Sequence, residues 1–481
     1  MTTLTAAGGR EADADAGPIA GRRAPSWRRP RADPYWLAGA FFVLYTAVSV
    51  TRHLRWESRS WDLGIFEQAV RSYAGLQLPV SDLKGRDFAL LGDHFSPVTA
   101  LIAPFYRMFP TPVTLLVAQA ALFALAVVPV TRAAAHLLGR SAGAAIGAAY
   151  GLSWGVQEAV DFDFHEIAFA VPLIAFSLEA LLKGRHRAAL WWALPLLLVK
   201  EDLGLTAAAI AAVVALRARG GPDPRMVRRA VGFAVVAALA CLVTIAVLIP
   251  AFNSGGGYDY WTKVGEGDGP LRTAFTDADQ KLRTLLWVLV PTTGLLALRS
   301  PLLLVLLPTL GWRFVSHDPH YWGTDWHYSA VLMPVTALAL ADAVARTRAD
   351  GPRPWLRAYA ERLPLGVLAA ALALSTTLPV AGLTHAATYR QGEAAEAGER
   401  VLSVIPDGAE VAANVRPIAH LTARCRVFWI GNTDGPAPEY IAYWDPARTA
   451  EELTQYAHRI HPDGVYDVVA QEAGFWVLRM R

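Results

Sequence analysis

The chain has 481 residues, 54% of them hydrophobic, and a formal net charge of only +3. That apolar share exceeds the roughly 45–50% of a soluble domain, and so small a charge gives no electrostatic basis for a nucleic-acid partner. The apolar residues arrive in long blocks with few charges and no strand-like alternation, which excludes a soluble domain and a membrane β-barrel.

Residues 1–33 are rich in Ala, Gly, Asp and Arg without periodicity and read as a disordered cytoplasmic tail. Arg22, Arg23, Arg28, Arg29 and Arg31 precede the first apolar block. No small-residue cleavage site follows that block, so it reads as a retained anchor rather than a signal peptide. With this basic tail inside, the positive-inside rule threads about eleven helices through the bilayer. They fall at 35–51, 113–136, 141–158, 167–182, 188–199, 203–216, 230–250, 284–298, 301–314, 328–345 and 364–380. A first outer loop spans 52–111, and within it 97–109 reads as an interfacial helix. The polytopic part covers 34–385. Residues 386–481 contain short apolar runs at 410–413, 426–430, 440–443, 465–469 and 475–478, alternating with helical stretches at 393–404 and 449–460. That pattern predicts a small α/β domain, extracytoplasmic in this threading. Cys241 sits in an apolar block and Cys425 in the α/β region, so a disulfide between them is not expected. The expected location is the cytoplasmic (plasma) membrane.

The threading sorts the polar turns. Outward turns carry acids and histidines: Asp62, Asp93-His94, Asp161, Asp163, His165, Glu166, Glu201-Asp202, and His317, Asp318, His320, Asp325 and His327. Inward turns carry mostly arginine. Asp62 stands where helical periodicity begins, so it is either an N-cap or a carboxylate with a chemical task. His94 precedes Pro97, a helix starter, and suits a structural, metal-binding or acid–base role. If 161–166 is extended, Asp161, Asp163 and His165 share one edge, an arrangement suited to a divalent cation or a general base. Lys200-Glu201-Asp202 lies between apolar blocks, and three charges facing lipid would cost several kcal/mol, so they face a cavity or one another. In 316–328, His320, Trp322, His327 and Tyr328 combine imidazoles with aromatic rings, which serves sugar stacking as well as interfacial anchoring.

Five stretches then carry a resemblance: WDLGIFEQ at 61–68, GDHFSP at 92–97, DFDFHE at 161–166, KEDLG at 200–204 and HYSAVLMP at 327–334. Together they resemble the multi-pass membrane family catalogued as domain of unknown function 2079, over about 35–480. More distantly the layout is similar to the GT-C glycosyltransferases, which use polyprenyl-phosphate-linked sugars on the outer membrane face. The resemblance implies that Asp62 acts as general base or orients the acceptor, and that His94 and Pro97 form the His/Pro element. It also implies that Asp163, with Asp161, is the second acidic position and that Lys200 lies near the lipid phosphate. Two departures stand out: Asp-Leu-Gly where several relatives have paired acids, and the added His165 and Glu166.

The expected function is therefore glycosyl transfer from a polyprenyl-phosphate sugar to a glycan, lipid or protein acceptor, in contact with membrane lipids. Asp62, His94 and Asp163 are the expected catalytic residues. Lys200, Glu201, Arg52, Arg55, His320, Trp322, His327 and Tyr328 are expected to bind substrate. Asp161, Asp163, His165 and Glu166 are the candidate ligands for a divalent cation such as Mg or Mn. The alternatives are a transporter or lipid- or polymer-handling protein without bond chemistry, and a binding module anchored by the membrane part.

Overall fold

The structure is a computed structural model that describes residues 32–221, 223–265, 269–350, 353–432 and 435–481. The expected tail, with its basic cluster, lies almost wholly outside the described residues. The membrane part is helical: α1 (Asp33–Leu54), α2 (Asp62–Ala74), α3 (Pro112–Leu138), α4 (Arg140–Gly151), α5 (Trp154–Asp161), α6 (Ala170–Leu182), α7 (His186–Ala193) and α8 (Leu203–Ala218). Next come α9 (Arg225–Val243, running on to Phe252), α10 (Ala278–Thr293), α11 (Leu307–Val315), α12 (Met333–Ala349) and α13 (Pro354–Leu374).

Among the described residues, four helices are long and apolar enough to cross a membrane: Asp33–Leu54, Pro112–Leu138, Arg225–Phe252 and Ala330–Ala349. Of the other expected spans, 203–216 forms the single helix α8 and 364–380 falls largely in α13, while several others are broken, for local reasons. The block 141–158 divides at Leu152-Ser153 into α4 and α5. Residues 188–199 and 301–314 each join an α-helix to a 3₁₀ segment, at Pro195 and Pro308, where the missing amide interrupts the ladder. The block 284–298 stops at Gly294 and Leu295, both left-handed.

The helices are tied by buried polar bonds. Tyr45 of α1 donates to the Gly151 carbonyl at 2.6 Å, and Ser49 to the Val160 carbonyl at 2.9 Å. At one end of the bundle Arg132 pairs with Glu179 at 2.8 Å and Arg217 with Asp342 at 2.6 Å. Glu179 and Arg217 lie late in α6 and α8, and these two helices begin near Glu166 and Asp202, at the opposite end.

The C-terminal region forms a sheet among the described residues: β1 (Glu410–Ala413), β2 (Arg426–Trp429), β3 (Tyr440–Trp444), β4 (Tyr466–Glu472) and β5 (Phe475–Met480). Its order is β2-β1-β3-β5-β4, parallel for β2-β1-β3 and antiparallel for the rest. The sheet domain docks on α2. Gln68 donates to the Val427 carbonyl at 2.8 Å, and Arg71 to the carbonyls of Thr422 and Cys425 at 3.0 and 2.9 Å. Arg86 makes a two-pronged bond to Glu410, both at 2.8 Å, the fork geometry that makes Arg–carboxylate pairs specific. Trp56 stacks on His420 with ring centres 3.6 Å apart.

Close approach at Gly64 makes this docking possible, because a Cβ there would lie 2.4 Å from Ile418 Cγ2 and 2.9 Å from Leu83 Cδ1. Gly64→Val is expected to destabilise the protein by about 1–3 kcal/mol through overpacking and to expose the linker before the sheet domain to trypsin. Wild-type melting and an unchanged digestion pattern would remove this contact from the account.

Candidate functional site

Separate segments between helices meet at one end of the bundle around a cavity of about 500 Å³. Asp62 is the first residue of α2, where the helix dipole favours a negative charge. Ser60 Oγ donates to Asp62 Oδ2 at 2.7 Å and accepts from the Asp62 amide at 3.1 Å. His165 Nε2 stands 3.7 Å from Asp62 Oδ2. His165 stacks face to face on His327, with centroids 3.5 Å apart and planes 21° apart. Burial lowers both imidazoles from their ordinary range, His327 strongly, so a neutral ring stands beside the Asp62 carboxylate with a second stacked on it.

The next wall is built from two ion pairs. Lys200 Nζ bonds Glu166 Oε1 at 2.8 Å. Burial alone would lower the ammonium, but Glu166, Glu201 and Asp202 reverse this and hold it above its ordinary value. Burial would raise Glu166, yet Lys200 holds it below the usual carboxylate range. Beside it, Glu201 Oε1 faces His94 Nδ1 at 2.8 Å and accepts from Tyr258 Oη at 3.0 Å. Glu201 Oε2 accepts from the Phe95 amide at 3.2 Å. Against burial, His94 and Lys200 bring Glu201 down to about 2, and His94 is raised because Glu201 and Asp93 outweigh burial and Lys200. Asp202 goes the other way: burial lifts it to about 6 despite Lys200.

A strap at 253–265 closes the third side. Asn253 donates to the Gly92 carbonyl at 3.0 Å, and the Lys263 carbonyl accepts from the His317 amide at 2.8 Å. The strap brings Tyr258, Tyr260, Trp261 and Lys263 to the cavity wall. Tyr260 lies 4.5 Å from the His94 ring centre, and Lys263 Nζ donates to Tyr321 Oη at 2.9 Å. These four residues were not expected from the sequence, although the run Gly255-Gly-Gly-Tyr-Asp-Tyr-Trp261, three glycines followed closely by aromatics, was a readable signal.

The cavity thus collects Asp62, His94, His165, Glu166, Lys200, Glu201, His327 and Tyr328. Other expected site residues stand apart from it. Arg52 and Arg59 both pair with Asp161, and Arg55 pairs with Glu57 at 2.6 Å, so neither Arg52 nor Arg55 faces the cavity. His320 is largely exposed and bonds Asp318 at 2.8 Å, while buried Trp322 donates to the Ser316 carbonyl at 2.8 Å. The extended edge expected at 161–165 does not form, because Asp161 ends α5 and Asp163 turns left-handed at φ 85°. Asp163 is buried behind the wall and is raised to about 8, by burial first and then by Asp62 and Asp161 against Arg52.

The cation ligand set expected from 161–166 does not converge either. Asp161 is held by arginines and Glu166 by Lys200, and among the described residues no three His, Cys, Asp or Glu side chains group to hold a metal ion.

The family described as Predicted membrane protein (DUF2079) matches residues 52–477. The structure of ArnT from Cupriavidus metallidurans bound to undecaprenyl phosphate superposes with a TM-score of 0.58 at 14% identity, covering 93% of this chain and 98% of that one. Its apo form superposes with a TM-score of 0.51 at 13% identity, over 92% and 98% of the two chains. The likeness is one of fold: a helical, ArnT-like architecture with a small C-terminal sheet domain. No curated protein matches the sequence.

Proposed function

The chain belongs to the DUF2079 family of predicted membrane proteins, and from its cavity we propose that it transfers a glycosyl group from a polyprenyl-phosphate-linked sugar to an acceptor hydroxyl. The observation that carries this reading is the meeting of Asp62, the His165–His327 stack and the Lys200–Glu166 and His94–Glu201 pairs in one cavity. A carboxylate beside neutral imidazoles, a buried cation and aromatic walls together match an acceptor hydroxyl, a lipid phosphate and a sugar ring.

In this mechanism Asp62 accepts the acceptor's hydroxyl proton as its oxygen attacks the anomeric carbon. The bond from that carbon to the phosphate oxygen breaks, and polyprenyl phosphate leaves with the bonding pair. Lys200, already aimed into the cavity by Glu166, offsets the charge on the departing phosphate. His165 and His327, held neutral by burial, add hydrogen-bonding capacity without repelling a cationic transition state. A path for transport would place charges along the bundle, whereas here the cavity charges gather at one end and the Arg132–Glu179 and Arg217–Asp342 pairs at the other are closed on themselves.

The test is to supply purified protein in lipid nanodiscs with a panel of polyprenyl-phosphate sugars and follow release of polyprenyl phosphate. At least one lipid-linked donor should turn over while nucleotide sugars do not. Turnover of nucleotide sugars alone would refute the donor class.

A further inference from the structure

A second cavity, of about 480 Å³, opens at the other end of the bundle. It lies between the α6–α7 turn and the α8–α9 turn and is lined by Arg185, His186, Arg187, Asp223 and Met226. α8 connects the two cavities: Asp202 and Leu205 at its start line the first, and Ala218 at its end lines the second. Its 16 residues separate them by about 24 Å.

The groove is a built cationic surface. Asp223 bonds Arg229 at 3.0 Å and faces Arg187 at 3.7 Å, so one carboxylate orients two guanidinium groups. Arg185 is exposed and makes no ion pair among the described residues. Two lining arginines, with Arg229 paired to Asp223 beside them, against one aspartate leave an excess of positive charge. The turns that present them close tightly, with Gly184 at φ 71° and Gly220 at φ 74°.

The same two helices that wall the groove continue into outward apolar side chains. Trp191 and Trp192, about one turn beyond Arg187 on α7, are 72% and 42% exposed. Val231, Val235 and Leu239 on α9 are each more than half exposed. In a membrane protein such side chains face acyl chains, and tryptophan marks the level of the headgroups. Basic pockets between helices at that level suit anionic headgroups.

We infer that this groove binds the phosphate headgroup of an acidic glycerophospholipid, with its acyl chains laid along Trp191, Trp192 and Val235. Arg185 and Arg187 supply the charge, and Asp223 holds Arg187 and Arg229 in place. This site is separate from the proposed glycosyl-transfer cavity and does not depend on it.

The full-length protein, purified in detergent and stripped of lipid, is titrated with phosphatidylglycerol, phosphatidylcholine or inorganic phosphate, with bound lipid counted by native mass spectrometry. Phosphatidylglycerol should bind in preference to phosphatidylcholine, and inorganic phosphate should not displace it. The R185A/R187A variant should bind phosphatidylglycerol about thirtyfold more weakly, at roughly 1 kcal/mol per arginine. Equal binding of the two lipids, full affinity in the variant, or displacement by inorganic phosphate would each overturn the inference. Should the variant fail to fold, wild-type protein in about 1 M salt, where charges are screened within ~3 Å, should lose the preference, and its persistence would overturn the inference too.

Discussion

Asp62→Asn is expected to lower the rate of glycosyl transfer by about 10²–10⁴-fold, the range that general-base help supplies, without lowering the melting temperature. The second half of that expectation rests on local geometry. Asn matches Asp in size, and its amide oxygen can still accept from Ser60, which lies 2.7 Å from Asp62 Oδ2. The neighbouring His165 is 3.7 Å away, beyond hydrogen-bond range, so no buried partner is orphaned by the change. The side chain is also partly open to the cavity, at 23% exposure, so no packing is lost. What disappears is a basic oxygen able to take a proton. KM for the lipid-linked donor should move little, because the lost step involves the acceptor hydroxyl. Wild-type turnover in the variant would remove Asp62 from the chemistry and leave it as a helix-terminal residue.

The second large effect concerns Lys200. Lys200→Met leaves Glu166 buried without its partner, 2.8 Å from where the ammonium stood. Breaking one side of a buried pair typically costs about 3–5 kcal/mol, so this single variant should melt early or fail to accumulate. That outcome alone would not separate a scaffold from a substrate contact. Lys200→Met combined with Glu166→Gln removes both charges and should recover most of the stability, since replacing a whole buried pair by neutral groups is often nearly neutral. Transfer should nevertheless stay depressed by about 100-fold or more, the usual range for losing a preorganised electrostatic contact at the reacting centre. Recovered stability with recovered transfer would show that the pair only holds the wall together.

Much of this site is visible in the chain before any coordinates. Threading by charge gathers Asp62, His94, His165, Lys200, Glu201 and His327 on one face, and the structure puts all six on one cavity. The short runs after residue 405 form strands of four to seven residues, because apolar stretches that short bounded by polar turns suit strands better than helices. The helix starting at Val415 escaped the pattern, since Pro417 and Arg416 interrupt its apolar stripe.

Other features depend on contacts that no local pattern encodes. Arg52 lies in the last turn of α1 and Asp161 ends α5, and only their packing makes them an ion pair rather than a phosphate clamp and a cation ligand. Asp163 adopts a left-handed backbone that alternation along 161–165 could not foresee. The strap from Asn253 to Lys263 reads as a glycine-rich connector, yet its carbonyls and aromatic rings close the cavity through partners more than 50 positions away at His317 and 57 away at Glu201. Beside about eleven expected spans, four helices among the described residues are long and apolar enough to cross a membrane. Proline and glycine inside apolar blocks break helices that hydropathy alone treats as continuous.

The most direct test of the central claim is a structure determined with polyprenyl phosphate bound. The phosphate should lie in the cavity bounded by Asp62, His165 and Lys200, with its oxygens within hydrogen-bonding distance of the Lys200 ammonium and the isoprenoid chain leaving toward the bilayer. A phosphate seated instead among Arg185, Arg187 and Arg229, or anywhere outside the cavity that holds Asp62, would contradict the account.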